Sequence, residues 1–283
     1  MNIVIASGKG GTGKTTVAVN LALAASHNGR SVAYVDCDVE EPNGHIFLNP
    51  RIESSTPVGR KVPAVDAAAC DSCGACGEIC HYSAIVCLRG RVLVYPELCH
   101  GCGGCLLACR ANAITEIEHE TGRLEKGRAG PVHFVHGVLN VGEAMSTPLI
   151  RQVKAAAPAA ALAILDAPPG TSCPVIESVR GADFVVLVTE PTPFGLNDLK
   201  LAVDMARALG LRFGVVVNRS GAGDGRITDY CREEAIPLLA EIPDDRGIAE
   251  AYSRGLPAWE ACPEIREVFE GLLEKLTGGG AHE

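Results

Sequence analysis

Two groups of side chains in this sequence are spaced closely enough to do chemistry, and the first is SGKGGTGKTT at residues 7–16. It satisfies G-x-x-x-x-G-K-[ST], with Gly8, Gly13, Lys14 and Thr15 at the fixed positions. A loop of Gly8, Lys9, Gly10, Gly11, Thr12 and Gly13 can close its backbone N–H groups on phosphate oxygens, and a helix opening near Lys14, Thr15 and Thr16 adds its own unsatisfied N–H groups. Lys14 suits the β- and γ-phosphates of ATP, and Thr15 suits Mg2+. The loop follows the strand-like NIVIAS and precedes a helical stretch, the context that separates this motif from a Gly-rich turn without a ligand. Lys9 is not required by the motif; the bland alternative to a role for it is a solvated loop lysine.

The second group is thiol. Nine of thirteen cysteines fall from Cys70 to Cys109, and eight of them lie in two copies, CDSCGACGEICHYSAI and CHGCGGCLLACRANAI, that start at Cys70 and Cys99. Each copy has the spacing C-x2-C-x2-C-x3-C, in which three close thiolates converge on one iron–sulfur cube and the fourth is sent elsewhere. Zinc also takes C-x2-C pairs, but a zinc ribbon needs four thiolates in two pairs and leaves half of these unexplained. Over roughly residues 63–118 the copies resemble a bacterial two-cluster ferredoxin module. The resemblance implies two [4Fe-4S] clusters, one held by Cys70, Cys73, Cys76 and Cys109, the other by Cys99, Cys102, Cys105 and Cys80. His81 and Arg110 stand where that family usually has proline, which bears on the local turn and not on the ligand count. Cys87 lies outside the pattern and reads as a small buried hydrophobe.

The rest of the composition narrows the class. A formal net charge of -9 over 283 residues argues against a broad basic surface, so no nucleic-acid or membrane partner is expected. The longest apolar runs, such as ALAIL and FVVLV, are far below the ~20 residues of a membrane-spanning helix. NIVIAS lacks the layout of a secretory signal. Cysteine-rich and without a leader, the sequence reads as a cytoplasmic protein using thiols for metal or redox chemistry.

The elements that must position these groups alternate. NIVIAS, VAYVDCD, ALAILDAP, FVVLVTEP and FGVVVNR read as buried parallel strands. Between them, TTVAVNLALAASHNGR and LNDLKLAVDMARALG read as helices, closed by Gly29 and Gly210. The expected fold is α/β, a doubly wound, mostly parallel P-loop sheet carrying its site at the strands' carboxyl ends. Residues 1–62 and 119–283 then form one interrupted ATPase domain, and 63–118 an inserted small α+β ferredoxin-like domain. The flanks PNGHIFLNPRIESSTPVGRK and ETGRLEKGRAG read as connections. EIREVFEGLLEKL carries a helical apolar stripe that should dock on protein.

Lys9 makes the phosphate loop resemble the deviant Walker loop of the MinD/ParA class of ATPases, in which the extra lysine reaches the partner's ATP across a nucleotide-sandwich dimer. Other segments fit that class in order. VDCDVEEPN resembles its first switch, implying that Asp38 orients the attacking water and Asp36 supports it near magnesium. LDAPPGTS supplies a Walker B-like Asp166 in a form close to the Mrp-type iron–sulfur carriers. VVVNR implies Asn218 as an adenine-edge reader, and EIPDDRGIAEAYSRGLP places Pro243 and Asp244 near the purine. Read without the resemblance, an acidic residue after a strand also caps helices and an Asn there also serves turns. Cys173, seven residues after Asp166, matches the offset of a cluster ligand in the related nitrogenase iron protein; the alternative is a switch-loop thiol.

The resemblance is closest to MinD-superfamily ATPases with an inserted ferredoxin domain. It implies Mg2+-dependent ATP hydrolysis to ADP, with Lys9, Lys14, Asp38 and Asp166 as catalytic residues, and a homodimer in the ATP state. Three functions follow from it: nucleotide-gated electron transfer through two clusters to a redox partner, assembly of iron–sulfur or heterometal clusters for an apo-metalloprotein, or MinD/ParA-like positioning with structural clusters.

Overall fold

Five short strands made almost wholly of buried Val, Ile, Leu, Ala and Tyr set the architecture. In the computed structural model, which describes residues 1–221, 223 and 225–278, the chain divides into two compact units. The first comprises Met1–Ser55, Leu124–Val138 and Ile150–Glu283, the second Thr56–Arg123 and Leu139–Leu149.

The chain opens with β1 (Asn2–Ala6), α1 (Lys14–His27), β2 (Val32–Asp36), α2 (Gly44–Leu48) and the long β3 (Arg51–Val65). Then follow α3 (Ala75–Ile79), the hairpin β4 (Ile85–Leu88) and β5 (Arg91–Val94), α4 (Gly104–Ala108) and the long β6 (Ile114–Ala129). Next come β7 (Val132–Leu139), α5 (Thr147–Ala155), β8 (Leu162–Asp166), α6 (Cys173–Val179), β9 (Phe184–Thr189) and α7 (Pro193–Ala208). The chain continues with β10 (Phe213–Ser220), α8 (Arg226–Glu233), β11 (Leu238–Pro243), α9 (Arg246–Ser253), α10 (Ala258–Ala261) and α11 (Ile265–Thr277).

The strand order is β11-β10-β9-β1-β8-β2-β7-β6-β3. From β11 to β7 every neighbouring pair is parallel. This is the doubly wound, mostly parallel α/β sheet expected from the strand–helix alternation. All five residues of β2 and of β8 are buried, as central strands covered on both faces require. Thr192 caps α7, its hydroxyl accepting from the Gly195 amide, and Pro193 supplies a preset first turn. The stripe Ile265, Phe269, Leu272, Leu273 and Leu276 on α11 is buried in the same core as Val17, Leu21 and Ala24 of α1. No helix among the described residues is long and apolar enough to cross a membrane.

The flanks read as connections are strands. β3 and β6 run for 15 and 16 residues, and most of their side chains are exposed. Runs of consecutive exposed residues, 51–57 in β3 and 115–118 in β6, break any apolar alternation, so their Gly, Pro and charged residues looked like loops. The second unit is wider than the 63–118 stretch marked by the cysteines, because β3, β6 and the 139–149 segment are tied together. Arg60 Nη2 lies 2.9 Å from Glu143 Oε2, and His119 Nε2 lies 2.6 Å from Glu143 Oε1, with Arg60 and Glu143 nearly buried.

Asn20, inside α1, links the phosphate-loop helix to the chain's last part. Its Nδ2 donates to the Thr16 carbonyl and its Oδ1 accepts from the Trp259 amide, both at 2.6 Å, in a fully buried setting. Asn20→Ala strands the Trp259 amide, so a loss of about 2 kcal/mol is expected. In a thermal melt of the intact protein this should lower the midpoint by about 4–8 °C; a midpoint within about a degree of the parent would show that the bond is dispensable.

Candidate functional site

Within the first unit, the carboxyl ends of the strands surround a cavity of about 400 Å³. Its walls bring together Gly10, Gly11, Gly13, Lys14, Thr15, Thr16, Asp38, Asn218, Pro243 and Asp244 from the sequence-predicted set. The volume is that of a small-molecule site. Pro169, from the segment LDAPPGTS, also lines it, as do Glu41, Asn43, Arg219 and Tyr252, none of which was singled out for the site from the sequence.

The loop's glycines are used for two reasons. Gly11 and Gly13 have φ of 78° and 91°, a region that L side chains rarely adopt. At Gly8 the reason is contact: a Cβ would lie 2.0 Å from the Asp198 carbonyl oxygen of α7. Thr12 is buried, and its carbonyl accepts a hydrogen bond from Asn218 Nδ2 at 2.9 Å. Asn218 is thus fastened to the phosphate loop while lining the cavity. No side chain caps the first turn of the 14-residue α1, so its leading N–H groups have no side-chain partner there. That loop and helix start fit a nucleotide's phosphates.

Below the loop lies a cluster of buried charge. The β2–β8 register sets Asp36 opposite Asp166, and both are buried. Burial, and for Asp36 also the Asp166 charge, pushes both carboxyls up. The Asp166 rise is opposed by the Thr15 hydroxyl and Lys14. Asp38 is pushed up to about 6, first by burial and then by Asp166. Lys14 is pulled down by burial, while Asp166, Asp38 and Asp36 oppose that fall. Asp36 Oδ1 accepts from the Asp38 amide at 3.1 Å and Oδ2 from the Gly44 amide at 3.0 Å. Asp166 Oδ2 accepts from the Tyr34 hydroxyl at 3.1 Å. Asp166 Oδ1 has no well-formed hydrogen bond among the described residues, although the Thr15 hydroxyl is near enough to lower the carboxyl's pKa. Such a cluster suits a divalent cation beside the phosphates.

Lys9 does not line the cavity. Its Nζ lies 3.7 Å from Glu190 Oε2, and the same carboxylate takes Arg219 Nη1 on Oε1 at 3.0 Å. Glu190 follows β9 as Asp166 ends β8, but nothing in the sequence says which cations it would hold.

The second unit has its own candidate site. One cavity of about 30 Å³ is lined by Cys80, Cys99, Cys102 and Cys105, and another of about 10 Å³ by Cys70, Cys73, Cys76 and Cys109. Each set takes three cysteines from one sequence copy and one from the other. The copies also match in backbone: Ser72, Gly74 and Ser83 have φ of 59°, 82° and 53°, and Gly101, Gly103 and Asn112 have 63°, 70° and 51°. Two reciprocal bonds join them, Asp66 N to Ala113 O at 2.8 Å and Tyr95 N to Ala84 O at 2.7 Å. All eight cysteines are free thiols. Amides of Gly101 and Ala113 donate to the Cys99 and Cys109 sulfurs at 3.4 and 3.3 Å. At Cys80, burial alone would raise the thiol, but backbone N–H groups from Tyr82 to Ile85 outweigh it and lower the pKa. Four thiols around each cavity are a donor set for soft metal. Cys87 is half-buried, not fully buried as expected, and its S–H donates to Ser72 O at 3.6 Å. Cys173 is exposed at the start of α6.

The buried carboxylates give a pH prediction. Asp166 titrates higher in the folded chain than in the unfolded one, so the folded chain holds more protons and stability falls as pH rises above about 4 through the raised range. Asp166→Asn removes the charge. Without nucleotide, its thermal midpoint should exceed the parent's by about 2–4 °C at pH 8, for about 1 kcal/mol, and the gain should shrink on acidification. A lower midpoint than the parent's at pH 8 would contradict this account.

Comparison with known proteins agrees with this geometry. The family described as the CobQ/CobB/MinD/ParA nucleotide binding domain matches residues 3–258. An uncharacterized protein of Methanocaldococcus jannaschii is 30% identical over 279 residues, covering 98% of this chain and 96% of its own. An iron-sulfur cluster carrier protein of the same organism is 25% identical over 303 residues, covering 98% of this chain and 85% of its own. The cell division ATPase MinD of Pyrococcus furiosus shares the fold, with a TM-score of 0.61 at 24% identity over 98% of each chain. With a phosphate loop, a strand-end cavity and a family match over most of its length, this chain belongs to the CobQ/CobB/MinD/ParA nucleotide-binding family.

Proposed function

We propose that this chain is a Mg2+-dependent ATPase whose nucleotide state, in a homodimer, gates electron transfer through two [4Fe-4S] clusters held by the second unit. The observation that carries the reading is the three-plus-one sharing of cysteines around two separate cavities, in a chain that also holds a phosphate-loop cavity. In this reading the eight thiolates are the cluster ligands. Such clusters supply one-electron transfer.

The first unit's residues take the following roles. Lys14 neutralises the β- and γ-phosphates, and the amides of Gly10 to Thr16 cradle them. Thr15 holds Mg2+ with Asp166 behind it, and Asp38 orients the attacking water. Asn218, Pro243 and Asp244 face the base. Lys9, paired with Glu190 in this structure, would on this reading leave that carboxylate to reach a partner's nucleotide. Asp38 also lies in the segment that continues through α2 into β3, and β3 carries the chain into the second unit. Nucleotide-dependent movement at Asp38 would therefore be transmitted along a short stretch of chain.

A second reading, an iron–sulfur cluster carrier, is favoured by the name of the 25% identical relative. The cysteine geometry weighs against cargo, because each site borrows a ligand from the other copy and emptying one would loosen both. Positioning on membrane or DNA is disfavoured by the net charge of -9 and by an α11 whose apolar stripe is already buried.

The test is to purify the protein without oxygen, count iron, and follow ATP turnover with the clusters oxidised and then reduced by dithionite. About eight iron ions per chain are expected, with turnover that changes on reduction and falls at least about tenfold in Lys9→Ala. Cys109→Ser should lose iron that Cys173→Ser retains. Turnover blind to redox state, together with iron that passes to an apo-metalloprotein, would replace this reading with the carrier one.

A further inference from the structure

Tyr34 stands where a strand core needs no hydroxyl. It is the middle residue of β2, fully buried, between Ala33 and Val35. Its ring stacks on Phe134 with centroids 5.7 Å apart and planes 10° apart, an arrangement that phenylalanine would satisfy equally well. Burying a hydroxyl is unfavourable unless it is hydrogen-bonded, so the polar tip calls for its own explanation.

The tip touches two parts of the charged cluster. The hydroxyl donates to Asp166 Oδ2 at 3.1 Å. It also fills the space beside Gly44, where a Cβ would lie 2.3 Å from the Tyr34 oxygen. The Gly44 amide in turn donates to Asp36 Oδ2. One hydroxyl therefore serves both carboxylates, Asp166 by a direct hydrogen bond and Asp36 through contact with the residue whose amide holds it. Burial, followed by the nearby Asp166 and Asp36 charges, holds the phenol well above its usual pKa, so it remains a donor.

We propose that Tyr34 is a positioning residue of the Mg2+-nucleotide site: its hydroxyl occupies Asp166 Oδ2, leaving Oδ1 for the cation side, and seats Gly44 so that its amide holds Asp36. This rests on the phosphate-loop reading above and adds to it a group outside the motif. Residue 44 must then be glycine, because any side chain there would push the hydroxyl off Asp166. An outer-shell partner of this kind typically changes metal affinity by ten- to a hundredfold when removed.

The experiment measures binding, not turnover. Calorimetric titration of ADP into the intact protein, over a series of Mg2+ concentrations and with EDTA, gives the half-saturating Mg2+ and the metal-free affinity separately. For Tyr34→Phe the half-saturating Mg2+ should rise roughly tenfold, with metal-free ADP affinity unchanged. Gly44→Ala keeps the hydroxyl but displaces it, and should move the same quantity in the same direction. A merely structural residue would weaken binding equally with and without Mg2+, and that result would overturn the proposal, as would an unchanged Mg2+ dependence in both variants. A parent protein whose ADP binding ignores Mg2+ would instead remove the Mg2+-nucleotide reading on which this rests.

Discussion

The first unit is organised around one electrostatic constraint: two carboxylates, Asp36 and Asp166, are buried at opposing positions on neighbouring parallel strands. Like charges so placed cannot both be comfortable in the folded chain, and burial pushes each toward its protonated form. The surroundings answer the strain piece by piece. Two backbone amides hold Asp36, the Tyr34 hydroxyl donates to Asp166, and the Lys14 charge acts on both carboxylates. None of these fully compensates the charge. On the proposed Mg2+-nucleotide reading a cation would relieve this charge, and the stability forgone without one would become available as binding energy.

The second unit meets a different constraint, since it has little apolar material with which to fold. Its buried groups are small clusters such as Val62, Ala84 and Cys99, or Cys76, Ile85 and Ile114, with thiols among their members. A unit this small and this poor in core usually depends on covalent or metal cross-links. Duplicated loops that exchange their last cysteine make each copy's geometry depend on the other's. The matched positive-φ residues and the reciprocal Asp66–Ala113 and Tyr95–Ala84 bonds are what that exchange requires of the backbone.

Much of this was legible in the sequence because the chemistry is local. The phosphate loop lies within ten consecutive residues, and each cysteine copy within eleven. Buried parallel strands announce themselves as apolar runs, and helix ends as Gly29 and Gly210, which both take positive φ. What escaped was non-local or ran against the usual signals. β3 and β6 carry runs of consecutive exposed residues, so no apolar alternation marks them. The bond from Tyr34 to Asp166 spans 132 positions, and the one from Asn20 to Trp259 spans 239. No spacing rule reaches so far; only the sheet order brings those residues together.

Lys9 shows why sequence and structure are both needed to assign a residue. Its place in the loop gives it a resemblance and hence an expected role, but the structure shows where it rests meanwhile. It shares Glu190 with Arg219, a residue of the nucleotide cavity wall, so one carboxylate answers to two cations. The Lys9 contact, at 3.7 Å, is the looser of the two, while Arg219 is the more exposed side chain, so water screens both pairs and neither holds Glu190 firmly. An anionic phosphate near Arg219 would compete with Glu190 for that side chain and leave the carboxylate freer to hold Lys9. A dimer partner's nucleotide would compete for Lys9 itself. The two effects oppose one another, so nucleotide in a chain's own cavity need not extend Lys9; in the proposed dimer it is the second protomer's nucleotide that would draw it out. On that proposal the ligand that shifts Lys9 is the one with differential affinity for its extended state, which is the partner's nucleotide and not the chain's own.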